Sequence, residues 1–539
     1  INTTGSVTNL VVGYVQSGKT LSFTTLSTLA IDNGVRIIIY LAGIKNNLLV
    51  QTTKRLKKDL LTEKENSRQF KVYENPTVEQ GIPSKISNAL KLTYKPAILI
   101  TVLKHTKHID ELTRIFSDIS IKSELGNNGV LIIDDEADQA SLNTYARKNS
   151  KAPDWADDEF SSTYASILRL KAALPNHSYI QYTATPQGPL LINLMDLLSP
   201  KHHTVLTPGK TYTGGKTFFL DNPDLIISIP DEQVHHQKNN NLSECPQSLI
   251  EAMQVYLTGV AIWVFIGGHE NFLSMMIHAD REIDASQKFH SWVRNLIDSW
   301  SERLGREDGD PTKTELVKEF LSSYQQTIRR LQSPPSFEDV MANITDVIRD
   351  TNVELVIQGS KEIAWSNAAS HILIGADMLN RGFTVENLSV TYMPRYSVGK
   401  STADTIQQRC RFFGYKRKYL DICRVYLPHN SVLEYVEYVQ HEEIMRTWLK
   451  EKDSLEQVEQ VLLLDPSMNA TRNNILSTQV VKHKLSGWRQ FNALQNIDEN
   501  IIFVESFLQN LSFVDFDNYG TSDRNHRYAR LDIQTIIDF

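Results

Sequence analysis

Two stretches of this sequence carry residues that could bind and hydrolyse a nucleoside triphosphate. The first, GYVQSGKT at 13–20, fits the pattern GxxxxGK[ST] of a phosphate-binding loop. An apolar run precedes it and a helix-compatible run follows, so backbone N–H groups and a helix N-terminus can surround the phosphates. We expect Lys19 to reach the β and γ phosphates and Thr20 to coordinate Mg²⁺. The predicted ATP-binding residues are Gly13, Gln16, Ser17, Gly18, Lys19 and Thr20.

The second stretch, VLIIDDEAD at 130–138, has the pattern of a buried strand that ends in carboxylates. In a parallel sheet such a strand carries its last residues to the carboxyl edge, where nucleotides bind. We therefore predict that Asp135 binds Mg²⁺ and that Glu136 activates the attacking water. Asp134 precedes the metal ligand in this register and is kept as a residue that supports it from behind. A solvated acidic loop is the alternative interpretation.

A turn of small hydroxyl residues, TATP at 183–186, follows another predicted strand. We predict that Thr183 and Thr185 respond to the γ-phosphate and transmit its presence to a neighbouring domain. A plain strand-ending turn is the alternative, but the position of this turn after the acidic motif favours the functional interpretation.

The second half of the chain offers arginines for the same reaction. Arg381 follows a predicted strand and a turn. Gln407, Arg409 and Arg411 lie on a predicted helix. An arginine that reaches a γ-phosphate across a domain cleft stabilises the charge of the transition state. We predict catalytic roles for Arg411 and Arg381 and a nucleotide-binding role for Gln407. A basic helix that binds carboxylates is the alternative.

A helix start after the strand pattern at 35–43 contains groups that hold a phosphate backbone. Lys45, Asn47 and Gln51 lie there, and a helix N-terminus adds N–H donors. Together with Arg409 they are predicted to line a groove for nucleic acid, although a solvated helix face is also possible. Because the net charge is −7, any such contact must use a local basic surface.

Short apolar runs that alternate with helix-compatible stretches predict an α/β organisation with parallel sheets. Strand patterns occur at 35–43, 97–103, 129–134, 178–185, 274–279, 354–359, 370–376, 388–394 and 422–428. The predicted divisions are a first α/β domain at 1–205, a connector at 206–248, a second α/β domain at 249–430 with a mainly helical insertion at about 285–350, and a C-terminal accessory α+β region at 431–539.

Length and composition predict a globular protein of several domains. A chain of 539 residues with 41% apolar residues is too long for one core. Its three cysteines form no CxxC pair, which favours a reducing cytoplasm. The longest uncharged stretch, 252–268, is short for a membrane span and is predicted to be a buried helix, so we expect no membrane partner. The chain begins at Ile1, and we expect upstream residues to contribute to adenine binding.

The order of these motifs resembles that of superfamily 2 helicase and translocase ATPases, which spread them over two RecA-like domains. The sequence is more similar still to the Z-1 domain family, bacterial proteins named as endonucleases and associated with mobile elements and phage conflict. The resemblance implies an ATP- and Mg²⁺-dependent enzyme that acts on DNA, in an anti-phage or restriction-like system with a separate effector or nuclease subunit. The stretches that carry it are VVGYVQSGKT, LAGIKNNLLVQT, IDDEADQASLNT, YTATP, PGKTYTGGKTFF, SMMIHADR, LIGADMLNRGFTVENL and RFFGYKRKYLDICRVY.

The sequence departs from superfamily 2 at the arginine motif. Cys410 stands where glycine is usual before the arginine, and Gly414 stands where many members have a second arginine. The resemblance therefore implies that Arg411 acts alone or with Arg381.

Two other functions remain open at this point. One is a nuclease that the ATPase licenses. The segment VELVIQGSKE at 353–362 lacks a lysine at the spacing that a PD-(D/E)xK nuclease needs, and Asp523, Asn525 and His526 only hint at an HNH-like cluster. The other is a nucleotide-gated scaffold that recruits partners through residues 431–539.

Overall fold

The computed structural model describes residues 6–44, 46–60, 70–138, 141, 161–186, 198, 200–234, 242–279, 283–357, 360, 363–375, 379, 385–395, 403–452, 497–516 and 526–538. Ile1–Val481 form one compact unit and Lys482–Phe539 form another. The first unit contains two parallel sheets.

Seven parallel strands form the first sheet, namely β1 (Ser6–Val12), β2 (Ile37–Ala42), β3 (Phe70–Glu74), β4 (Ala97–Val102), β5 (Val130–Asp135), β6 (His177–Thr183) and β7 (His202–Val205). Their order is β3–β4–β2–β5–β6–β1–β7. The central strands β2 and β4, with the sequences IIIYLA and AILITV, are buried along their whole length. Continuous apolar strands are expected where helices cover both faces of a parallel sheet.

Helices cover the two faces of this sheet unequally. On one face lie α1 (Lys19–Asp32) and α2 (Asn46–Leu60), and on the other lie α3 (Ile82–Lys91), α4 (Thr106–Ser117), α5 (Ile119–Leu125) and α6 (Ser162–Ala173). Side chains alternate between the faces along each strand. In β5, Ile132 therefore packs with the α3–α6 side and Ile133 with the α1 side.

Six parallel strands form the second sheet, namely β8 (Ile226–Ile229), β9 (Leu273–His278), β10 (Thr351–Val356), β11 (Ser370–Gly375), β12 (Leu388–Tyr392) and β13 (Arg424–Pro428). Their order is β10–β11–β9–β12–β13–β8. The two parallel α/β sheets predicted from the sequence are thus confirmed. The edge strand β8 lies inside the segment predicted as a connector, and the domain boundaries themselves stay predictions.

The second sheet packs against α7 (Gln247–Val260), which continues as a π-helical segment at Ala261–Ile266. Between β9 and β10, the helices α8 (Ile283–Leu304), α9 (Pro311–Ile328) and α10 (Phe337–Arg349) form the expected insertion, and α11 (Ala403–Arg409) precedes β13. Among the described residues, Gln247–Ile266 is the one helix long and apolar enough to cross a membrane, but 67% of its most apolar window is buried. This burial agrees with the core helix predicted at 252–268.

After β13, α12 (His429–Glu451) connects the two sheets. Its residues Met445 and Leu449 pack against Leu10 and Val12 of β1 in the first sheet. The second compact unit is separate and contains α13 (Ile497–Gln509), an antiparallel pair of β14 (Val514–Phe516) and β15 (His526–Tyr528), and α14 (Ile533–Asp538). The predicted α+β character of the C-terminal region is confirmed by these elements.

Candidate nucleotide-binding site

The order of the strands brings three motifs to one edge of the first sheet. Strand β6 lies between β5 and β1, so the carboxyl ends of these strands are adjacent. The Gly13 amide donates to the Thr183 carbonyl at 3.0 Å, and the Ala137 amide donates to the Tyr182 carbonyl at 2.9 Å. The phosphate loop, the acidic motif and the hydroxyl turn therefore meet where parallel α/β sheets bind ligands.

The phosphate loop has a conformation that depends on its glycines. Gly18, directly before α1, has a φ of +96°, which side chains with a Cβ rarely adopt. A Cβ on Gly13 would lie 2.7 Å from Cγ of Lys19. Gln16 also has a positive φ, of 54°, so the loop bends sharply around the space in front of α1.

Lys19 and Asp135 lie on the same side of the sheet, with α1. The Lys19 ammonium donates to the Tyr14 carbonyl at 3.2 Å, and its burial lowers its pKa. Burial, and after it the Glu136 carboxylate, raise the pKa of Asp135, while Lys19 and Lys104 lower it, and the result is a pKa of about 6. At pH values above this, the Asp135 carboxyl is mainly ionised.

Asp134 points to the opposite face, because neighbouring residues of a strand alternate. Its Oδ1 lies 2.8 Å from the Lys104 ammonium, and both side chains are fully buried. The Tyr179 hydroxyl donates to Oδ2 of Asp134 at 2.5 Å, and Lys104 also donates to the Glu136 carbonyl at 2.7 Å. Asp134 and Lys104 thus hold the acidic turn from behind, and sequence reasoning did not identify Lys104.

Loss of the Lys104 ammonium should destabilise the protein strongly, because it leaves Asp134 buried without its counter-charge. We expect Lys104→Met to lower the free energy of unfolding by about 3–5 kcal/mol. Urea denaturation of the purified variant measures this change. The exposed Lys107→Met is the matched control and should change stability by less than about 0.5 kcal/mol. Equal effects of the two substitutions would contradict the role of the Lys104–Asp134 pair.

Glu136 projects into a cleft with a strained backbone. Its φ is 52°, in the left-handed region that non-glycine residues rarely occupy. Its Oε2 is buried and has no hydrogen-bond partner within the described part of the chain. A buried carboxylate oxygen without a partner is unusual in a folded protein and is typical of a site that binds water or ligand.

The cleft has a volume of about 110 Å³ and joins residues from distant parts of the sequence. It is lined by Val15, Gln16, Lys19, Glu136, Asp138, Ala184, Thr185, Gln407, Gln408 and Arg411. The structure therefore places the phosphate loop, the acidic motif, the hydroxyl turn and the arginine motif around one space.

Direct hydrogen bonds connect the acidic motif with the hydroxyl turn. The Thr183 hydroxyl donates to Oδ1 of Asp138 at 2.8 Å, and the Thr185 amide donates to the Thr183 hydroxyl at 2.9 Å. All three residues are buried. A movement of the acidic turn would therefore shift the hydroxyl turn as well.

Arg411 enters the cleft from a turn, so the prediction that it lies on a helix is wrong. Helix α11 ends at Arg409. The Arg411 amide then donates to the Arg409 carbonyl at 2.8 Å, which closes a tighter turn than a helix allows. The Arg411 Nε donates to the Leu379 carbonyl at 3.2 Å. Gln407 uses its amide nitrogen to donate to the Ala184 carbonyl at 2.9 Å.

The predicted nucleic-acid residues are not brought together on one described surface. Lys45 lies outside the described residues, as does the side chain of Asn47 on α2. The predicted catalytic residue Arg381 also lies outside them. Gln51 is half-buried on α2. Arg409 is only 8% exposed, so the expectation that it lines an open groove is not met. The residues that follow it, Cys410, Phe412 and Phe413, belong to the core of the second sheet.

A larger cavity of about 920 Å³ lies on the other side of the phosphate loop. It is bounded by the exposed side of α1 and by strands β6, β1 and β7. Ser17, Gly18 and Tyr415 form the end nearest the phosphate loop, and most of the remaining wall is apolar.

Three further residues contact the phosphate loop, and sequence reasoning assigned none of them a role, although two lie in stretches that carry the family resemblance. They are Tyr212, Tyr415 and Arg446, whose side chains donate to carbonyl groups of the loop. The spacing of Glu442 and Arg446 indicates an ion pair on a helix, but it does not indicate that the helix contacts the loop.

A comparison with known protein families gives a match in the part of the chain that contains most of the second sheet. Residues 248–465 match the model of the Z1 domain family. The chain contains a Z1 domain. The match begins at α7, covers β9 to β13 and α12, and confirms the resemblance to the Z-1 family predicted from the sequence. No curated protein sequence matches the chain.

Solved helicase structures are similar to the chain containing this Z1 domain, at low identity. The Mycobacterium smegmatis helicase Lhr, described as bound to ssDNA and AMP-PNP, is 15% identical over 82% of this chain and 46% of its own, with a TM-score of 0.38. The DUF1998 helicase MrfA, described as bound to DNA, is 11% identical over 84% and 47%, with a TM-score of 0.37. The Pyrococcus furiosus Hef helicase domain is 12% identical over 80% and 95%, with a TM-score of 0.30. This chain spans slightly less than half of Lhr and of MrfA.

Proposed function

We propose that the chain is a Mg²⁺-dependent ATPase of the superfamily 2 helicase or translocase type that acts on DNA. The observation that supports it best is the cleft shared by Lys19, Glu136 and Arg411. Phosphoryl transfer to water requires a cation on the phosphates, a group that orients the water and a cation that stabilises the transition state. The three side chains supply these groups from separate parts of the sequence.

The residues around the cleft fit ATP and Mg²⁺. Mg²⁺ takes one or two protein ligands and completes its shell with phosphate oxygens and water. Asp135 and the Thr20 hydroxyl would hold it. The Arg55 guanidinium donates a long hydrogen bond of 3.4 Å to that hydroxyl and would have to move away when the metal binds. The phosphates would be bound by Lys19 and by the backbone of Gly13, Gln16, Ser17 and Gly18, with Gln407 closing the site from the second sheet. Bound Mg²⁺ would neutralise charge on the phosphates.

The cavity beside α1 offers room for the nucleoside. The cavity reaches the phosphate loop at Ser17 and Gly18, and a triphosphate bound in the loop would direct its nucleoside out of the cleft. An apolar wall with a few polar groups is typical of sites for small organic ligands.

A change of the bound nucleotide would be transmitted to the DNA-binding residues through the hydroxyl turn and α11. Thr183 contacts the acidic motif, and Gln407 contacts the Ala184 carbonyl of the same turn. We propose that Lys45, Asn47 and Gln51 contact the DNA backbone, because α2 begins at Asn46, at the carboxyl edge of the first sheet. Arg409 would join them only after a rearrangement that exposes it.

A separate effector or nuclease subunit in a cytoplasmic bacterial defence system is part of the proposal. Within the described residues, no group of three or more His, Cys, Asp or Glu side chains is arranged to hold a metal ion. Of the HNH-like residues, Asp523 and Asn525 lie outside the described part and His526 lies on β15. We propose that the nuclease activity of such a system lies in the partner subunit.

ATP hydrolysis measured with no nucleic acid, with single-stranded DNA and with duplex DNA tests the proposal. We expect DNA to stimulate turnover, and DNA affinity to fall steeply between about 50 and 200 mM salt because phosphate contacts release counterions. Gln51→Ala should weaken binding about equally for all DNA sequences, whereas the exposed Gln287→Ala on α8 should not. ATP binding without any DNA binding at low salt would favour the nucleotide-gated scaffold. DNA cleavage by the chain alone would favour the nuclease.

A further inference from the structure

The carbonyl groups of the phosphate loop are held by side chains from outside the first sheet. The Tyr212 hydroxyl donates to the Val15 carbonyl at 2.6 Å. The Tyr415 hydroxyl donates to the Ser17 carbonyl at 2.7 Å. The Arg446 guanidinium donates to the Gly13 carbonyl at 3.1 Å. We call the three side chains Tyr212, Tyr415 and Arg446 the carbonyl clamp.

Fixing these carbonyls also fixes the N–H groups that would face a phosphate. A trans peptide is planar, so the carbonyl of one residue and the N–H of the next point in opposite directions. The clamped peptides are 13–14, 15–16 and 17–18, alternate units along the loop. The intervening Tyr14 carbonyl is held within the loop by the Ser17 amide and by Lys19. With the clamped carbonyls directed outward, the N–H groups of Tyr14, Gln16 and Gly18 are turned away from the clamp.

We propose that the carbonyl clamp orients the phosphate loop for nucleotide binding, and that it makes nucleotide affinity depend on the second half of the chain. The clamp residues are positioning residues for the phosphates, since they contact the loop and are absent from the lining of the cleft. Tyr415 also borders the cavity proposed for the nucleoside, whereas Tyr212 and Arg446 line neither space. The nucleotide part of this proposal rests on the ATPase function proposed above.

The clamp residues are themselves held rigidly. The Arg446 guanidinium forms a buried ion pair with Glu442 at 2.7 Å, lies 3.9 Å from the centre of the Tyr14 ring and donates to the Ala184 carbonyl at 3.1 Å. Glu442 also accepts a hydrogen bond from Gln407 at 3.2 Å. Arg446 therefore connects the phosphate loop, the hydroxyl turn and the arginine motif through one side chain.

The two tyrosines are linked to each other as well as to the loop. Their rings meet edge to face with centroids 5.7 Å apart, and Thr213 and Gly414 beside them exchange backbone hydrogen bonds of 2.7 and 3.0 Å. Burial raises the pKa of Tyr212 well above its usual range, so its hydroxyl stays protonated and able to donate. The Tyr415 hydroxyl also accepts a hydrogen bond from the Gly209 amide at 3.2 Å.

This arrangement ties the loop to the position of the second sheet. Tyr415 follows α11 and Arg446 lies on α12, both of which pack on the second sheet or connect to it. If the two sheets separate, Tyr212 and Tyr415 would release their carbonyls and the loop would lose part of its orientation. Arg446 lies between Met445 and Leu449, which pack on β1, and would stay with the loop. Nucleotide affinity would then rise and fall with closure of the two halves.

Substitution of a clamp tyrosine by phenylalanine removes one hydroxyl oxygen. It tests the clamp without leaving a buried charge unpaired. Tyr212→Phe and Tyr415→Phe each delete one donor, and Tyr94→Phe, at a 53% exposed tyrosine outside the site, is the control. We expect amide hydrogen exchange of residues 14–18 in the nucleotide-free full chain to rise in the double clamp variant. We also expect the affinity for the fluorescent analogue mant-ADP to fall about threefold in Tyr212→Phe, whose side chain lines neither cavity, and about tenfold in the double variant. The KM for ATP should rise about as much, with kcat changed less than about threefold.

The outcomes separate the clamp from the proposed ATPase function. Unchanged exchange of the loop in the double variant would overturn the clamp, whatever the nucleotide affinity. Increased exchange spread over both sheets with a lower Tm would also overturn it, because the tyrosines would then be general packing residues. Increased exchange confined to the loop would support its orienting role, even if wild type failed to bind mant-ADP and the ATPase proposal failed. Local exchange together with unchanged mant-ADP affinity would overturn the link to nucleotide binding.

Discussion

Glu136→Gln is expected to abolish ATP hydrolysis, with kcat reduced about a thousandfold, while ATP still binds. The carboxylate Oε2 lies buried in the cleft without a partner among the described residues, so it is available to accept a hydrogen bond from the attacking water. Glutamine has the same size but cannot accept the proton. Steady-state hydrolysis gives kcat, and titration with mant-ATP gives affinity.

Lys19→Ala should behave differently, because it removes a cation that contacts the phosphates in both the ground state and the transition state. We expect both affinity and hydrolysis to be lost. Glu79→Gln, an exposed substitution far along the chain from the acidic motif, is the control and should hydrolyse ATP like wild type. If the double variant Lys19→Ala, Glu136→Gln hydrolyses ATP at the wild-type rate, the assignment of the active site is wrong.

Arg411→Ala is expected to slow turnover at least a hundredfold while ATP affinity changes less than about threefold. Arg411 reaches the cleft from the second half of the chain, opposite Lys19 and Glu136. A cation in that position stabilises the charge that develops on the transferring phosphoryl group. Rapid-quench measurement of a single turnover separates the chemical step from product release.

Arg417→Ala is the matched control, because this arginine is exposed and lies outside the cleft. It should leave turnover within about twofold of wild type. Unchanged turnover in Arg411→Ala with tenfold weaker ATP binding would make Arg411 a ground-state binder instead. Arg381→Ala, alone and combined with Arg411→Ala, would show whether the two arginines act together.

The central strands could be predicted from the sequence because they are buried on both faces. The apolar runs of β2, β4 and β5 have six residues each, which is short for a helix and typical of a strand buried between helices. The edge strands β3, β7 and β8 were missed. Their residues are mostly half-buried or exposed, and each strand has only four or five residues. The polar sequence of β7 matches a loop, and β8, although apolar, is too short to form a recognisable run.

The chemistry of the site was determined locally by the sequence. Residues that are neighbours in the sequence set the local backbone geometry and the alternation of side chains along a strand. The conformation of the phosphate loop around its glycines and Lys19 is local in this sense. So is the position of Asp135 and Glu136 at the end of a strand. These features place a phosphate site and a carboxylate at a strand end before any tertiary contact forms. The sequence therefore predicted which kinds of groups the cleft would contain.

Only the tertiary structure decided how those groups are held. The position of β6 between β5 and β1 brings the motifs together, Lys104 stabilises the acidic turn from behind, and the burial of Arg409 removes it from the surface. The carbonyl clamp joins residues that are hundreds of positions apart. Contacts of this kind use common side chains with no fixed spacing, because a hydrogen bond depends on where two chain segments meet in space and leaves no pattern in either segment alone.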